Sequence, residues 1–175
     1  MTLYLAEIEL SEGGEDALVA SLDKLAAQAR ESNGQLIEAQ AGKEAHRAFV
    51  IIETDSADNA QRIIEGAGLG KTGVKEVQLV GQDLDHVRQN AAKANYLVEW
   101  SLPEGLTLEK YLARKAQQTP KYALVPEVSF ERTYVCTDMS KCLCFYDSPD
   151  EDAVLRAREA VETPLDSVTT IKKIG

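Results

Sequence analysis

Six side chains in the second half of this chain are of types that do chemistry: Glu99, Arg132, Tyr134, Cys142, Cys144 and Tyr146. A carboxylate and phenols can move protons. A guanidinium holds carboxylate-like anions through paired N–H donors. Thiols bind soft metals or act as nucleophiles. Arg132, Tyr134 and Cys136 are spaced by two, as are Cys142, Cys144 and Tyr146, and a strand puts such residues on one face. With Thr137–Lys141 as a five-residue loop, Cys136 falls opposite Cys142, Tyr134 opposite Cys144 and Arg132 opposite Tyr146. Tyr96, Val98, Trp100, Leu143 and Phe145 then turn toward helices, and the candidates share the other face with Leu97. Plainer roles stand beside these. Free cysteine packs as a small hydrophobe, Cys-x-Cys is a weak zinc signal, and Glu99 with Arg132 reads as an ion pair between strands.

The elements that must position these residues are written twice. Leu3–Gly13 and Asn95–Gly105 share the frame Tyr-Leu-x-Glu-x-x-Leu-x-Glu-Gly, displaced by 92 positions. Segment 3–10 alternates as a strand, 16–32 has helical spacing ended by Asn33-Gly34, and 35–41 is a weak strand followed by the turn Gly42-Lys43-Glu44. Strand 48–53, helix 55–66 and strand 74–80 complete one set. The second set has strand 95–102, helix 106–118, breaks at Pro120 and Pro126, strands 129–136 and 142–147, a helix from Ser148-Pro149-Asp150, and strand 168–174. Ile52 aligns with Phe145, Ala60 with Ala153, Val74 with Val168 and Val80 with Ile174, displacements of 93 to 94. Strand-helix-strand-strand-helix-strand is the ferredoxin-like pattern, with both helices on one face of an antiparallel sheet. The bare face needs cover, which two copies supply for each other. Three segments follow: a first unit at 1–80, a partly helical linker at 81–94 and a second unit at 95–175. The two units pair within one chain or with another copy, as a homo-oligomer.

Composition sets the outer bounds. The chain has 175 residues, a net charge of −10 and a pI near 4.7. So acidic a surface repels phosphate backbones and anionic membranes, which argues against nucleic-acid and membrane partners. No apolar run reaches the roughly 20 residues of a membrane span, and the start lacks a signal-peptide pattern. Three cysteines without scaffold spacing fit a reduced, cytoplasmic setting. His46 and His86 fall in a turn and in the linker and read as surface residues. Gly66-Ala67-Gly68-Leu69-Gly70-Lys71-Thr72 looks like a phosphate loop, but it follows a helix where such a loop precedes one.

Tyr96-Leu97-Val98-Glu99, Phe130-Glu131-Arg132-Thr133-Tyr134-Val135 and Cys142-Leu143-Cys144-Phe145-Tyr146-Asp147-Ser148-Pro149-Asp150-Glu151 together resemble the small proteins of domain-of-unknown-function family 4242. The resemblance covers 95–174 and reaches 3–80 only through the internal repeat. It implies a ferredoxin-like fold that pairs into αβ barrels, and nickel binding through histidines in some members. Where relatives often carry histidine this chain has Arg132, which offers no lone pair to a metal. The soft ligands left are thiolates, which favour zinc or copper(I).

The sequence therefore leads to an α+β protein of two tandem βαββαβ units packed as a pseudo-dimeric αβ barrel. Its function reads as binding of a small anionic ligand or a metal ion, with the site on the second unit's sheet at Glu99, Arg132, Tyr134, Cys142, Cys144 and Tyr146. A small enzyme of monooxygenase or isomerase type, and a purely structural or interaction domain, are the alternatives.

Overall fold

A computed structural model describes residues 1–9, 14–42, 46–69 and 73–174. Leu10–Gly13, the turn residues Lys43 and Glu44, and Gly70-Lys71-Thr72 of the phosphate-loop-like run lie outside the described residues. The first half runs β1 (Thr2–Glu9), α1 (Gly14–Glu31), β2 (Gln35–Gly42), β3 (Arg47–Thr54), α2 (Ala57–Gly66), β4 (Val74–Val80). Between the halves lies α3 (Leu84–Asn90). The second half runs β5 (Tyr96–Ser101), α4 (Leu108–Gln118), a 3₁₀ segment (Thr119–Leu124), β6 (Ser129–Cys136), β7 (Lys141–Asp147), α5 (Glu151–Ala160), β8 (Ser167–Lys173). Helix starts are capped by side chains: Ser56 accepts from the Asn59 N–H, Thr107 from Lys110 and Asp150 from Ala153.

The strands form one closed antiparallel barrel in the order β1-β3-β2-β8-β5-β7-β6-β4. Within each half the order is the ferredoxin-like one, β4-β1-β3-β2 and β8-β5-β7-β6. The halves join through β2 with β8 and β4 with β6, all within one chain. Closure removes the sheet edges that an isolated half would leave unpaired. Strand alternation then divides the apolar residues into three clusters. One fills the barrel, with Leu3, Leu5, Phe49, Ile51, Val77, Leu97, Leu143 and Phe145. One lies between the first half's sheet and α1 and α2, and one between the second half's sheet and α4, the 3₁₀ segment and α5.

The segment between the halves is more than a tether. α3 packs on β2, buries Val87 completely among the barrel residues and brings Leu84 against them. Val87→Asp places an unpaired carboxylate in that apolar interior and is expected to cost about 3 kcal/mol or more. Urea unfolding measures it. An unchanged midpoint would mean that α3 does not close the barrel. Among the described residues no helix is long and apolar enough to cross a membrane.

The structure corrects one register. The turn between β6 and β7 has four residues, Thr137–Ser140, because Lys141 already belongs to β7. The Met139 N–H donates to the Cys136 carbonyl at 2.8 Å, with Met139 in the left-handed region at φ 59°. Val135 therefore opposes Cys142, Thr133 opposes Cys144, Tyr134 opposes Leu143 and Arg132 opposes Phe145. A shift of one residue turns a whole strand over. Cys142, Cys144 and Tyr146 face the helices with Val98 and Trp100, while Leu143 and Phe145 point into the barrel. The same slip moves two alignments. Ile52 and Tyr146, not Phe145, are the partners of Tyr4 and Tyr96. The caps Ser56 and Asp150, 94 apart, set Ala60 against Val154 rather than Ala153.

Candidate functional site

The six sequence candidates fall into two groups on opposite faces of one sheet. Inside the barrel, β2 carries a bulge between Leu36 and Glu38, and β6 carries one between Phe130 and Arg132. These positions are 94 residues apart in both cases. Each bulge adds a residue and re-aims the next side chain, so Glu38 and Arg132 meet in the interior. Arg132 Nε donates to Glu38 Oε2 at 2.9 Å and Nη2 to Oε1 at 2.5 Å. Gln40 Nε2 donates to Oε1 at 3.1 Å, and the Tyr134 hydroxyl donates to Oε2. Arg132 is 1% exposed and lies over the Phe145 ring at 4.6 Å. Burial pulls its pKa down, but the Glu38 hydrogen bonds and charge outweigh burial and leave it raised.

Arg132 therefore pairs with Glu38 of the first half, not with Glu99. Glu99 accepts from Arg47 Nη2 at 2.7 Å, Lys141 Nζ at 3.1 Å and the Ser167 hydroxyl at 3.1 Å. Burial pushes the Glu99 carboxyl up, yet the Lys141 and Arg47 charges hold it below its ordinary value. Lys141 also reaches Glu7 at 2.5 Å. Arg47 and Lys141 are again 94 apart, so each half sends one cation to the other half's glutamate. Glu99, Arg132 and Tyr134 thus engage the facing half of the barrel.

The second group sits between the sheet and the helices. α5 presents a buried stripe of Ala153, Val154, Ala157 and Arg158, started by the Asp150 cap at 2.7 Å. α4 brings Tyr111 and Lys115, and the proline-started 3₁₀ segment brings Tyr122. Cys142 Sγ and Cys144 Sγ are 3.9 Å apart. The Thr133 hydroxyl donates to Cys144 Sγ at 3.4 Å and accepts from Lys115 Nζ at 3.1 Å. Arg158 Nη1 lies 3.7 Å from Cys144 Sγ and donates to the Tyr146 hydroxyl at 3.1 Å. Tyr146 in turn shares a 2.6 Å hydrogen bond with Tyr122.

These neighbours polarise the thiol pair. The Cys142 hydrogen bond, then Arg158, Lys115 and the Thr133 hydroxyl, overcome burial and bring the Cys144 pKa down to about 5. Cys142 is pushed up by that same hydrogen bond and by burial, so it keeps its proton. Burial also raises Tyr111 and Tyr122, the latter to about 12. Both thiols line a cavity whose wall includes Trp100, Tyr111, Lys115 and Arg158. Space for the centre of a water-sized molecule amounts to only about 30 Å³, enough for a few small atoms.

Among the described residues the first half has nothing comparable. Ile8, Ala48, Val50, Ile52 and Ile64 take the places of Trp100, Cys142, Cys144, Tyr146 and Arg158, all buried in an apolar cluster. Sequence reasoning missed Arg158, Lys115, Tyr111 and Tyr122. For Arg158 a signal existed, since an arginine four residues after Val154 interrupts the apolar row of α5. Glu38 was also legible, as the residue 94 before Arg132, once the bulges set the alignment. The histidines stay apart: His46 precedes β3, and the His86 N–H donates to the Asp83 cap of α3. Among the described residues no three His, Cys, Asp or Glu side chains converge on a metal position.

Comparison with solved structures places the architecture. A candidate monooxygenase from Fusobacterium nucleatum superposes with a TM-score of 0.54 at 9% identity, over 99% of this chain and 92% of that one. One from Lactobacillus acidophilus gives 0.52 at 11%, over 99% and 92%. A candidate chlorite dismutase gives 0.58 at 10%, over 100% and 95%. At such identities the likeness is one of fold alone: this chain is an αβ barrel of the kind those proteins adopt. No curated protein matches it. Residues 96–171, from β5 into β8, match the family described as nickel-responsive protein, SCO4226-like, in line with the family resemblance expected over 95–174.

Proposed function

We propose that this chain is a small-molecule-binding αβ barrel, that its site is the cavity between the second half's sheet and α4, the 3₁₀ segment and α5, and that its ligand is a few-atom polar or anionic species. One observation carries the reading. In a chain of net charge −10, the described residues of the cavity wall include Arg114, Lys115 and Arg158 and no carboxylate. Two buried polar atoms there find no partner among the described residues, the donor Arg158 Nε and the acceptor Gln118 Oε1. Buried polar groups are nearly always satisfied, so the pair suits a guest that accepts from one and donates to the other. Burial holds the Lys115 pKa below its ordinary value, and an added anion would relieve that. Trp100, Tyr111 and Tyr122 supply the apolar wall. Cys142 and Cys144 line the site, and Tyr146 steadies Arg158 and Tyr122. Glu99, Arg132 and Tyr134 act at a distance, by holding the barrel closed.

The family that residues 96–171 match is described as nickel-responsive. The two histidines stand on separate segments, and the thiols lie beside cations, so the residues present do not fit a nickel site. A second reading, a small enzyme, is favoured by the thiolate inside the cavity, on a fold shared with candidate monooxygenases.

Melting curves with sodium nitrite or sodium formate at constant ionic strength test the binding. Near ten times its dissociation constant, an anion held by Arg158 should raise the midpoint by about 3 °C. The rise should vanish in Arg158→Met. An equal rise in that variant, or none with either anion in the native protein, would overturn the site.

A further inference from the structure

We propose that Cys144 is a peroxide-reactive thiolate and that Cys142 is the thiol that resolves it, so that the cavity reduces a small hydroperoxide to water or an alcohol. This rests on the reading of the cavity as open to small polar molecules. It adds the class of guest and what becomes of it.

The geometry supplies each requirement. The nucleophile sits at the cavity wall, with Arg158 Nη1 at 3.7 Å and the Thr133 hydroxyl at 3.4 Å. Those two groups stabilise negative charge on sulfur, and such donors near a thiolate also polarise an O–O bond. Arg158 Nε, buried with no partner among the described residues, can donate to a peroxide oxygen, while Gln118 Oε1 can accept from a peroxide O–H. Hydrogen peroxide is both donor and acceptor and is small enough to enter this cavity. The second sulfur is 3.9 Å from the first. Thiolate character is already present at neutral pH.

Cys144 Sγ⁻ attacks one peroxide oxygen, the S–O bond forms, the O–O bond breaks, and the departing hydroxide takes the Cys142 proton to become water. The Cys142 thiolate then attacks the Cys144 sulfenic acid. The S–S bond forms, the S–O bond breaks, and the second hydroxide leaves as water with a proton from solvent. One peroxide is reduced and two thiols are oxidised. Residues two apart on a strand have Cα atoms about 6.6 Å apart, near the upper limit for a disulfide. The bond therefore needs a local pucker of β7 and should be readily reduced by a small thiol.

Cys136 is the internal control. It lies in the barrel cluster on the other face of the sheet, and burial raises its pKa. The protein is treated with equimolar hydrogen peroxide and read by intact mass and peptide mapping. The native chain should lose two hydrogens in the peptide bearing Cys142 and Cys144, reversibly with dithiothreitol. Cys142→Ser should instead give a dimedone adduct at Cys144. Cys144→Ser should stay unmodified, and Arg158→Met should react at least about tenfold more slowly. Oxidation mapped to Cys136, or a Cys144→Ser protein oxidised as fast as the native one, would overturn the proposal. So would a native chain left unoxidised. Anion-dependent melting separates the two readings. A native protein that shows the nitrite response but resists peroxide refutes only the chemistry, whereas one that shows neither overturns both.

Discussion

Replacing Arg132 with methionine should destabilise the fold by about 3–5 kcal/mol, read as a lower midpoint in guanidinium unfolding with little change in slope. Glu38 is 3% exposed and takes two of its hydrogen bonds from Arg132. Without the guanidinium its carboxylate is an unpaired charge inside an apolar barrel, and that penalty exceeds the worth of the pair itself. The same logic sets the rescue. Glu38→Gln in the Arg132→Met background removes the stranded charge yet keeps an acceptor for the Tyr134 hydroxyl, and should recover about half of the loss. Equal instability of the single and double variants would show that the lost volume over Phe145, rather than the charge, controls the effect. Because β2 and β6 belong to different halves, the single variant should also loosen their seam, seen as faster amide exchange along β8 and β4.

The second large effect is a dependence of stability on pH. The folded Cys144 thiol is held near pKa 5 by the Cys142 hydrogen bond, Arg158, Lys115 and Thr133, whereas an unfolded cysteine titrates at about 8.5. Between those values the unfolded chain carries a proton that the folded chain lacks, so stability rises with pH across the window. The contribution is complete above the unfolded value and is lost as pH falls through the folded one. One proton gives a slope of at most about 1.4 kcal/mol per pH unit. Of the groups that face Cys144, those other than Lys115 keep one charge state between pH 6 and 8. Cys142, Tyr111 and Tyr122 are raised and stay protonated, and Arg158 is raised and stays charged. Lys115 is lowered and contributes in the same sense as Cys144, but at its own titration. Cys144→Ser should therefore flatten the slope between pH 6 and 8. Urea midpoints across that range decide it, and parallel curves for the two proteins would show that Cys144 is a neutral thiol.

Much of this molecule is determined locally and could be read from the chain. Helical spacing, caps such as Ser56 and Asp150, and the alternation of β1 and β5 depend on residues a few positions apart, so element order and the ferredoxin-like pattern were legible. A contrast between the halves was legible too, but against Phe49, Ile51 and Glu53; only the observed register sets Ala48, Val50 and Ile52 in the places of Cys142, Cys144 and Tyr146. What the sequence could not settle hangs on single residues with long-range effects. One residue fewer in the turn before Lys141 inverts β7 and moves the thiols from the barrel interior to the helix side, because side chains on a strand alternate with a period of two. The bulges at Ile37 and Glu131 do the same for Glu38 and Arg132. Partner choice is likewise tertiary. Glu99 and Arg132 each had several partners of opposite charge in the sequence, and only closure of the barrel, which sets β2 beside β8 and β4 beside β6, gave Arg132 to Glu38 and Glu99 to Arg47 and Lys141. The cavity itself belongs to no segment: it exists because Arg158 on α5, Lys115 on α4 and Tyr122 after Pro120 converge over two cysteines from one strand.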